Sequence, residues 1–243
     1  MGGRTEVTFT LPPSGSAFVV FRTRTEERSG GAAGLCEKGS MPLESAWRVT
    51  FPVGWYAGGA EKKTVEMPSL VDWTTLADDD LRYFSGTVCY ETTVDDETLR
   101  RALRAKDAGC RVLLDLGEVR EFAEVNVGGT GFPALWRPPF RVDVTDALKE
   151  RGSRLEVRIT NLWPNRMIGD ERLCAPDCVW SKSGRLQELP AFIREGRPSP
   201  TGRKTFATWR HWKKDDQLLP SGLLGPVRLV IAEDRRGGEE TAR

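Results

Sequence analysis

Phe140-Arg141-Val142-Asp143-Val144-Thr145 and Leu155-Glu156-Val157-Arg158-Ile159-Thr160 lead into Asn161-Leu162-Trp163-Pro164-Asn165-Arg166-Met167-Ile168-Gly169-Asp170-Glu171. In both leading runs apolar and polar residues alternate, the period of a strand with one face in a core and one in water. The two read as a strand pair. The second run then enters a stretch with two Asn, a Trp, an Arg and two adjacent carboxylates. Loops carried by a rigid sheet are where binding groups collect. Two readings stand side by side. In one, the stretch is a latch: Asn161 and Asn165 bond loop backbone, and Arg166 pairs with Asp170 or Glu171. In the other, its amides and carboxylates open towards a ligand.

Outward from this stretch the same alternation recurs. Trp47–Phe51, Val65–Met67, Gly86–Val94, Arg111–Leu116, Glu121–Val127, Lys204–Trp209 and Pro226–Ile231 read as strands, and Gly128-Gly129 as a tight turn needing positive φ. Asp95 followed by an Ala/Leu/Arg run to Lys106 predicts one short capped helix. Thr145–Leu148 adds a single helical turn. Residues 172–203, dominated by Pro, Gly and charge, read as a long loop insertion with one helical turn around Leu186–Arg194. Near the start, Glu6–Leu11 and the two-sided apolar run Ala17–Phe21 predict a hairpin belonging to a preceding β domain. The expected organisation is a hairpin over 1–22, a linker over 23–42, a β-sandwich over 43–232 and a disordered tail over 233–243. The fold class is all-β, an antiparallel sandwich.

The 243 residues suffice to bury a core without disulfides. Lys and Arg number 36 against 35 Asp and Glu, so the net charge of +1 gives no electrostatic case for nucleic acid. No run is long and apolar enough to span a membrane, and no signal region opens the chain. Of the five Cys, Cys89 and Cys110 lie in strand-like runs as buried thiols, while Cys174 and Cys178 are spaced to bridge within a loop. With His211 as the single His and no paired CxxC, no case arises for a zinc site, and a Ser–His–Asp triad has only that His to draw on. Oxygen ligands Asp143, Asn161, Asn165, Asp170 and Glu171 could hold a structural calcium ion, though their spacing matches no EF-hand.

Glycoside hydrolysis needs two carboxylates flanking one bond. Asp170 and Glu171 are neighbours, and Asp78-Asp79-Asp80 read as a solvated run, so no pair stands out and no catalytic residue is assigned. Aromatic rings beside amides and carboxylates suit a sugar, whose apolar face stacks on the ring. Trp55-Tyr56, Trp136, Trp163, Trp209 and Trp212 are the candidates, against the ordinary role of Trp as a core plug. Trp136, Trp163, Asn165 and Glu171 form the candidate carbohydrate set. Asn161, Arg166 and Asp170 form the candidate latch.

Leu114-Asp115-Leu116-Gly117, Ala123-Glu124-Val125, Leu135–Phe140 and Val142–Thr145 resemble the sugar-binding jelly-roll domain of family 2 glycoside hydrolases. Phe84-Ser85-Gly86, Asn161–Glu171 and Leu219-Pro220-Ser221-Gly222-Leu223-Leu224-Gly225-Pro226-Val227 resemble the C-terminal part of bacterial α-L-rhamnosidase-type enzymes, glycoside hydrolase family 106. The resemblance covers roughly residues 5 to 232. It implies a galactose-binding-like sandwich whose catalytic barrel lies elsewhere, in the parent protein or on a separate chain. It also implies a rhamnose-containing glycan, plant-type or other, as partner, and a secreted or periplasmic bacterial setting. One departure is that the family places Asn-Gly at the turn after the Ala-Glu-Val strand, where this chain has Gly128-Gly129, with Asn126 two residues before. The functional expectation is a non-catalytic carbohydrate-associated domain requiring no cofactor. Its alternatives are a glycosidase working through Asp170 and Glu171, and a structural module without sugar contact.

Overall fold

The computed structural model describes residues 5–7, 9, 11, 15–22, 34–54, 61–149, 153–173 and 178–234. Residues 12–14 of the expected hairpin, residues 23–33 of the expected linker, Trp55-Tyr56, Cys174 and residues 235–243 of the tail lie outside them.

The chain forms an all-β antiparallel sandwich. One sheet has six strands in the order β3 (Lys63–Met67), β2 (Trp47–Phe51), β4 (Thr87–Thr93), β10 (Arg154–Thr160), β7 (Phe122–Val127), β8 (Thr130–Gly131). The other has four, β1 (Leu35–Pro42), β12 (Arg228–Asp234), β5 (Arg111–Asp115), β9 (Arg141–Asp143), and a two-stranded ribbon joins β6 (Glu118–Arg120) to β11 (Gly222–Gly225). Alternation decides which side chains face inward. Trp47, Val49 and Phe51 of β2, Val88 and Tyr90 of β4, and Leu155, Val157 and Ile159 of β10 are buried, while their neighbours point outward. They meet Val112, Leu114, Val142 and Leu229 of the second sheet in one core. Phe51 sits edge-on to both Trp73 and Phe84, with ring centroids 5.5 Å apart in each pair. Each such pair adds about 0.5–1.5 kcal/mol beyond the area it buries.

Helix α2 (Asp96–Asp107) starts where its cap predicts: the Asp95 carboxylate accepts from the N–H groups of Glu97 (3.1 Å) and Thr98 (2.9 Å). The Gly128-Gly129 turn has φ of +57° and +92°, and the Asn126 side-chain oxygen accepts from the Gly129 N–H at 3.0 Å. The departure from Asn-Gly is thus met by an amide supplied from two residues upstream.

Several expectations are corrected. The runs 140–145 and 155–160 do not pair with each other: β9 lies in the four-stranded sheet and β10 in the six-stranded one. Residues 35–42 of the expected linker form β1, paired with β12. Its residues are nearly all exposed, with only Met41 buried, so no alternation announces it. Ala17–Phe21 forms no strand, and Phe18 is 95% exposed. Lys204–Trp209 forms no strand either, because its first two backbone N–H groups are taken by a side chain described below. Beyond α2, the described residues hold three short α-helices, α1 (Asp79–Arg82), α3 (Pro164–Glu171) and α4 (Ala191–Arg194), and a 3-10 turn at Trp73–Thr75. The expected Asp78–Asp80 loop is the start of α1. Asp78 caps it, and Asp78 and Asp80, each with its side chain 42% exposed, both bind Lys63 at 2.8 Å.

Candidate functional site

The stretch after β10 is a helix. Pro164 occupies the first turn of α3, where its missing N–H costs nothing. The eight residues then place Arg166 and Asp170 one turn apart on the same face. That face is turned into the protein: Asn165, Arg166, Ile168, Gly169 and Asp170 are all buried.

Three segments distant in sequence meet here. The Asn161 side chain accepts from the Gly86 N–H (2.9 Å) and donates to the Phe84 carbonyl (3.0 Å) and the Ser221 hydroxyl (3.0 Å). Asn165 donates to the Leu219 carbonyl (2.8 Å) and the Ser221 hydroxyl (3.0 Å), and its oxygen accepts from the Leu219 N–H (2.8 Å). The Ser221 hydroxyl in turn donates to the Leu219 carbonyl (3.0 Å), so its one donor and two acceptor positions are all filled. Ser85 completes the set, its hydroxyl accepting from the Arg166 N–H at 3.1 Å. Phe84–Gly86, Asn161–Glu171 and Leu219–Gly222 are the three strings that carry the family 106 resemblance, and they form one hydrogen-bonded knot.

The carboxylates are equally occupied. Asp170 is fully buried. One oxygen faces the Arg166 guanidinium at 3.0 Å, and the other accepts from the N–H of Lys204 (3.1 Å) and from the N–H and hydroxyl of Thr205 (both 2.6 Å). The Glu171 side chain, 7% exposed, is held from both sides by Arg203 (2.6 Å) and Arg210 (2.7 Å). Next to it, Lys204 and Lys63 hold the Asp80 carboxyl down to about 2. α3 thereby ties the segment from Arg203 onward to the sandwich.

The candidate sugar set divides in two. Trp136 and Trp163 are open, at 67% and 57% exposed, with the Arg137 guanidinium 5.8 Å from the Trp136 ring centre. Both stand near the start of β7, since Leu135 bridges Ala123 and Thr160 pairs with Phe122. Asn165 and Glu171, expected to border an open face, are turned inward and bonded as described. Sequence pattern alone shows that these groups are polar, not which backbone they meet 54 residues away. The latch candidates Asn161, Arg166 and Asp170 lie together inside the knot. Ser85, Ser221 and Arg203 were not among the expected site residues. The Phe-Ser-Gly and Pro-Ser-Gly strings that contain the two serines were the available signal.

Asp143 does not join the other oxygen ligands. It lies on β9, bonded to Arg111 and Thr145. Among the described residues no three His, Cys, Asp or Glu side chains come together in a way that would hold a metal ion. Nor, among them, is any helix long and apolar enough to cross a membrane.

No protein-family model matches the sequence. Over 193 residues the chain is 36% identical to a protein named "Putative beta-glucuronidase" from Formosa agariphila, an alignment covering 79% of this chain and 16% of that protein. The rhamnosidase from Novosphingobium sp. PP1Y superposes with a TM-score of 0.56 and 28% identity, over 86% of this chain and 16% of that one. A β-glucuronidase from Ruminococcus gnavus reaches a TM-score of 0.44 at 17% identity over 81% of this chain and 29% of its own, too distant to carry an argument. The chain thus spans 16% of the length of each of the first two proteins and is similar to a β-rich part of glycoside hydrolases.

Proposed function

We propose that this chain is a non-catalytic, carbohydrate-associated domain of an α-L-rhamnosidase-type glycoside hydrolase of family 106, with a galactose-binding-like jelly roll spanning Leu35–Asp234. Its role is to buttress a catalytic barrel and border the glycan held there, with Trp136 and Trp163 as the exposed stacking surfaces. The observation that carries this reading is the inward commitment of Asp170 and Glu171. A general acid must reach the leaving oxygen, and a base or nucleophile must face the sugar. Asp170 is sealed, one oxygen accepting from three donors of the chain itself and the other ion-paired with Arg166, and Glu171 is neutralised by two guanidiniums. The 28% identity to a rhamnosidase, over a segment making up 16% of that protein, supports a supporting part rather than the reacting one.

The test is an assay of the purified chain against aryl α-L-rhamnosides, together with calorimetric titration with rhamnose-containing oligosaccharides. The expected outcome is no turnover, with any glycan binding weakened by Trp163→Ala. Turnover abolished by Glu171→Gln would overturn the reading in favour of an enzyme.

A further inference from the structure

Residues 178–218 are pinned to the sandwich at their base by an amide and along their body by charge. At the base, the Asn165 side chain takes both backbone groups of Leu219, N–H and carbonyl, each at 2.8 Å. Asn165 sits on α3, so the segment leaves after α3 and comes back beside it. Among the apolar side chains of the segment only Pro190 and Phe192 are buried, and Phe192 stands outside the sandwich core. Short runs of the segment bond each other instead. Gln187 donates to the Val179 carbonyl (2.9 Å), Leu186 to that of Thr208 (2.9 Å) and Arg210 to that of Gly184 (2.8 Å).

The charges along the seam are sorted. Arg203, Lys204 and Arg210 come from the segment. Glu171, which binds Arg203 and Arg210, and Asp80, which binds Lys204 at 2.7 Å, belong to α3 and α1. The N–H groups of Lys204 and Thr205 cross the same seam to Asp170. Two of these carboxylates have a second cation behind them that does not belong to the segment: Lys63 on Asp80 at 2.8 Å and Arg166 on Asp170 at 3.0 Å. Departure of the segment therefore leaves Asp80 and Asp170 paired, lets water reach Glu171, and takes no side chain out of the sandwich core. Regions with few buried apolar contacts open locally, at free energies below that of global unfolding.

We propose that residues 178–218 are a strap that opens separately from the sandwich while Asn165 keeps its base closed, latched by the sorted ion pairs at Glu171 and Asp80. What the latch fixes is the place of Trp180, Trp209 and Trp212, whose rings line one crevice with Met167 and Glu171 of α3. The strap does not depend on the carbohydrate-associated role proposed above, and the failure of either leaves the other standing.

The test is native-state hydrogen exchange followed by mass spectrometry on the whole chain, at about 0.1 M and about 1 M sodium chloride, between which the screening length falls from about 10 Å to about 3 Å. Peptides over residues 203–210 should exchange about tenfold faster in the higher salt, the size of two partly exposed ion pairs weakened together. Peptides of β4 and β10 should not change. Asp80→Asn combined with Glu171→Gln should give the fast exchange already at the lower salt, with β4 and β10 protected as in the native chain. Lys204→Gln, which alters the strap alone, should move exchange the same way by a smaller factor. Strap peptides whose opening matches that of β4 and β10, that ignore salt, or that keep native protection in both variants would each overturn the proposal.

Discussion

Asp170 and Thr205 are joined twice: one carboxylate oxygen accepts both the backbone N–H and the hydroxyl of Thr205, each at 2.6 Å. The other oxygen of Asp170 faces the Arg166 guanidinium, itself 5% exposed, so removing either charge strands the other in the interior. Breaking a buried pair in this way costs about 3–5 kcal/mol. Asp170→Ala and Arg166→Ala should each lower unfolding stability by that amount in urea titrations. In the double variant the losses should fall well short of additive, since the second removal relieves the stranded charge.

Legibility in the sequence followed burial. β2, β4, β7 and β10 each bury one face and expose the other, so their alternation is plain, and Asp95 marked α2 by its capping chemistry. β1 was hidden because only Met41 among its residues is buried. α3 was hidden because eight residues give scant room for a 3.6-residue period. Pro164 at its first turn and the Arg166–Asp170 spacing were the signals present. Asn165 was placed on the wrong side because its partner, Leu219, is brought up by tertiary folding alone. Local pattern shows which residues are polar, and only the folded chain shows which of them are already satisfied.

Gly117 approaches Gly225 so closely that a Cβ at Gly117 would lie 2.5 Å from the Gly225 carbonyl carbon and oxygen, and its φ is +65°. Backbone cannot rotate out of the way. Gly129 also has positive φ (+92°), but a Cβ there would meet nothing within 4 Å. Gly129→Ala should therefore cost only the left-handed conformation, about 1–2 kcal/mol. Gly117→Ala should cost clearly more, since the clash adds to the same strain. Denaturation midpoints of the two variants give the comparison directly.

Acid should loosen the tie between α1 and the segment after Arg203. Hydrogen bonds from Lys204 and then Lys63 pull the Asp80 carboxyl down to about 2, against a usual value near 3.9. A carboxyl depressed by folding contributes stability above its unfolded pKa, and that contribution drains as pH falls through the folded value. The window is therefore from about pH 4 down to about 2. Asp115 adds to the same limb. Burial pushes it up, but the Gly117 N–H and the Arg228 and Arg141 guanidiniums outweigh burial and leave it lowered. Asp80→Asn should flatten the fall of the urea midpoint across this window without abolishing it, because Asp115 remains.

Glu171 tests whether the clamp is energetic or incidental. Its carboxylate is nearly sealed, and its two partners differ: the Arg203 side chain is 9% exposed and that of Arg210 is 49% exposed. When the carboxylate is removed, Arg210 can turn to water, but Arg203, 9% exposed, loses a charge-assisted bond in a site where water cannot replace it. A lost hydrogen bond to a charged group costs about 1.5–3 kcal/mol, whereas a half-exposed ion pair is worth about 0–1 kcal/mol. Glu171→Ala should thus fall between Asp170→Ala, the costliest, and Arg210→Ala, the mildest. Arg203→Ala should show coupling to Glu171→Ala in a double-mutant cycle, while Arg210→Ala should show little. Should Glu171→Ala unfold at the native midpoint, the clamp contributes nothing, and the segment after Arg203 is held by Asp170 and by the Lys204–Asp80 pair.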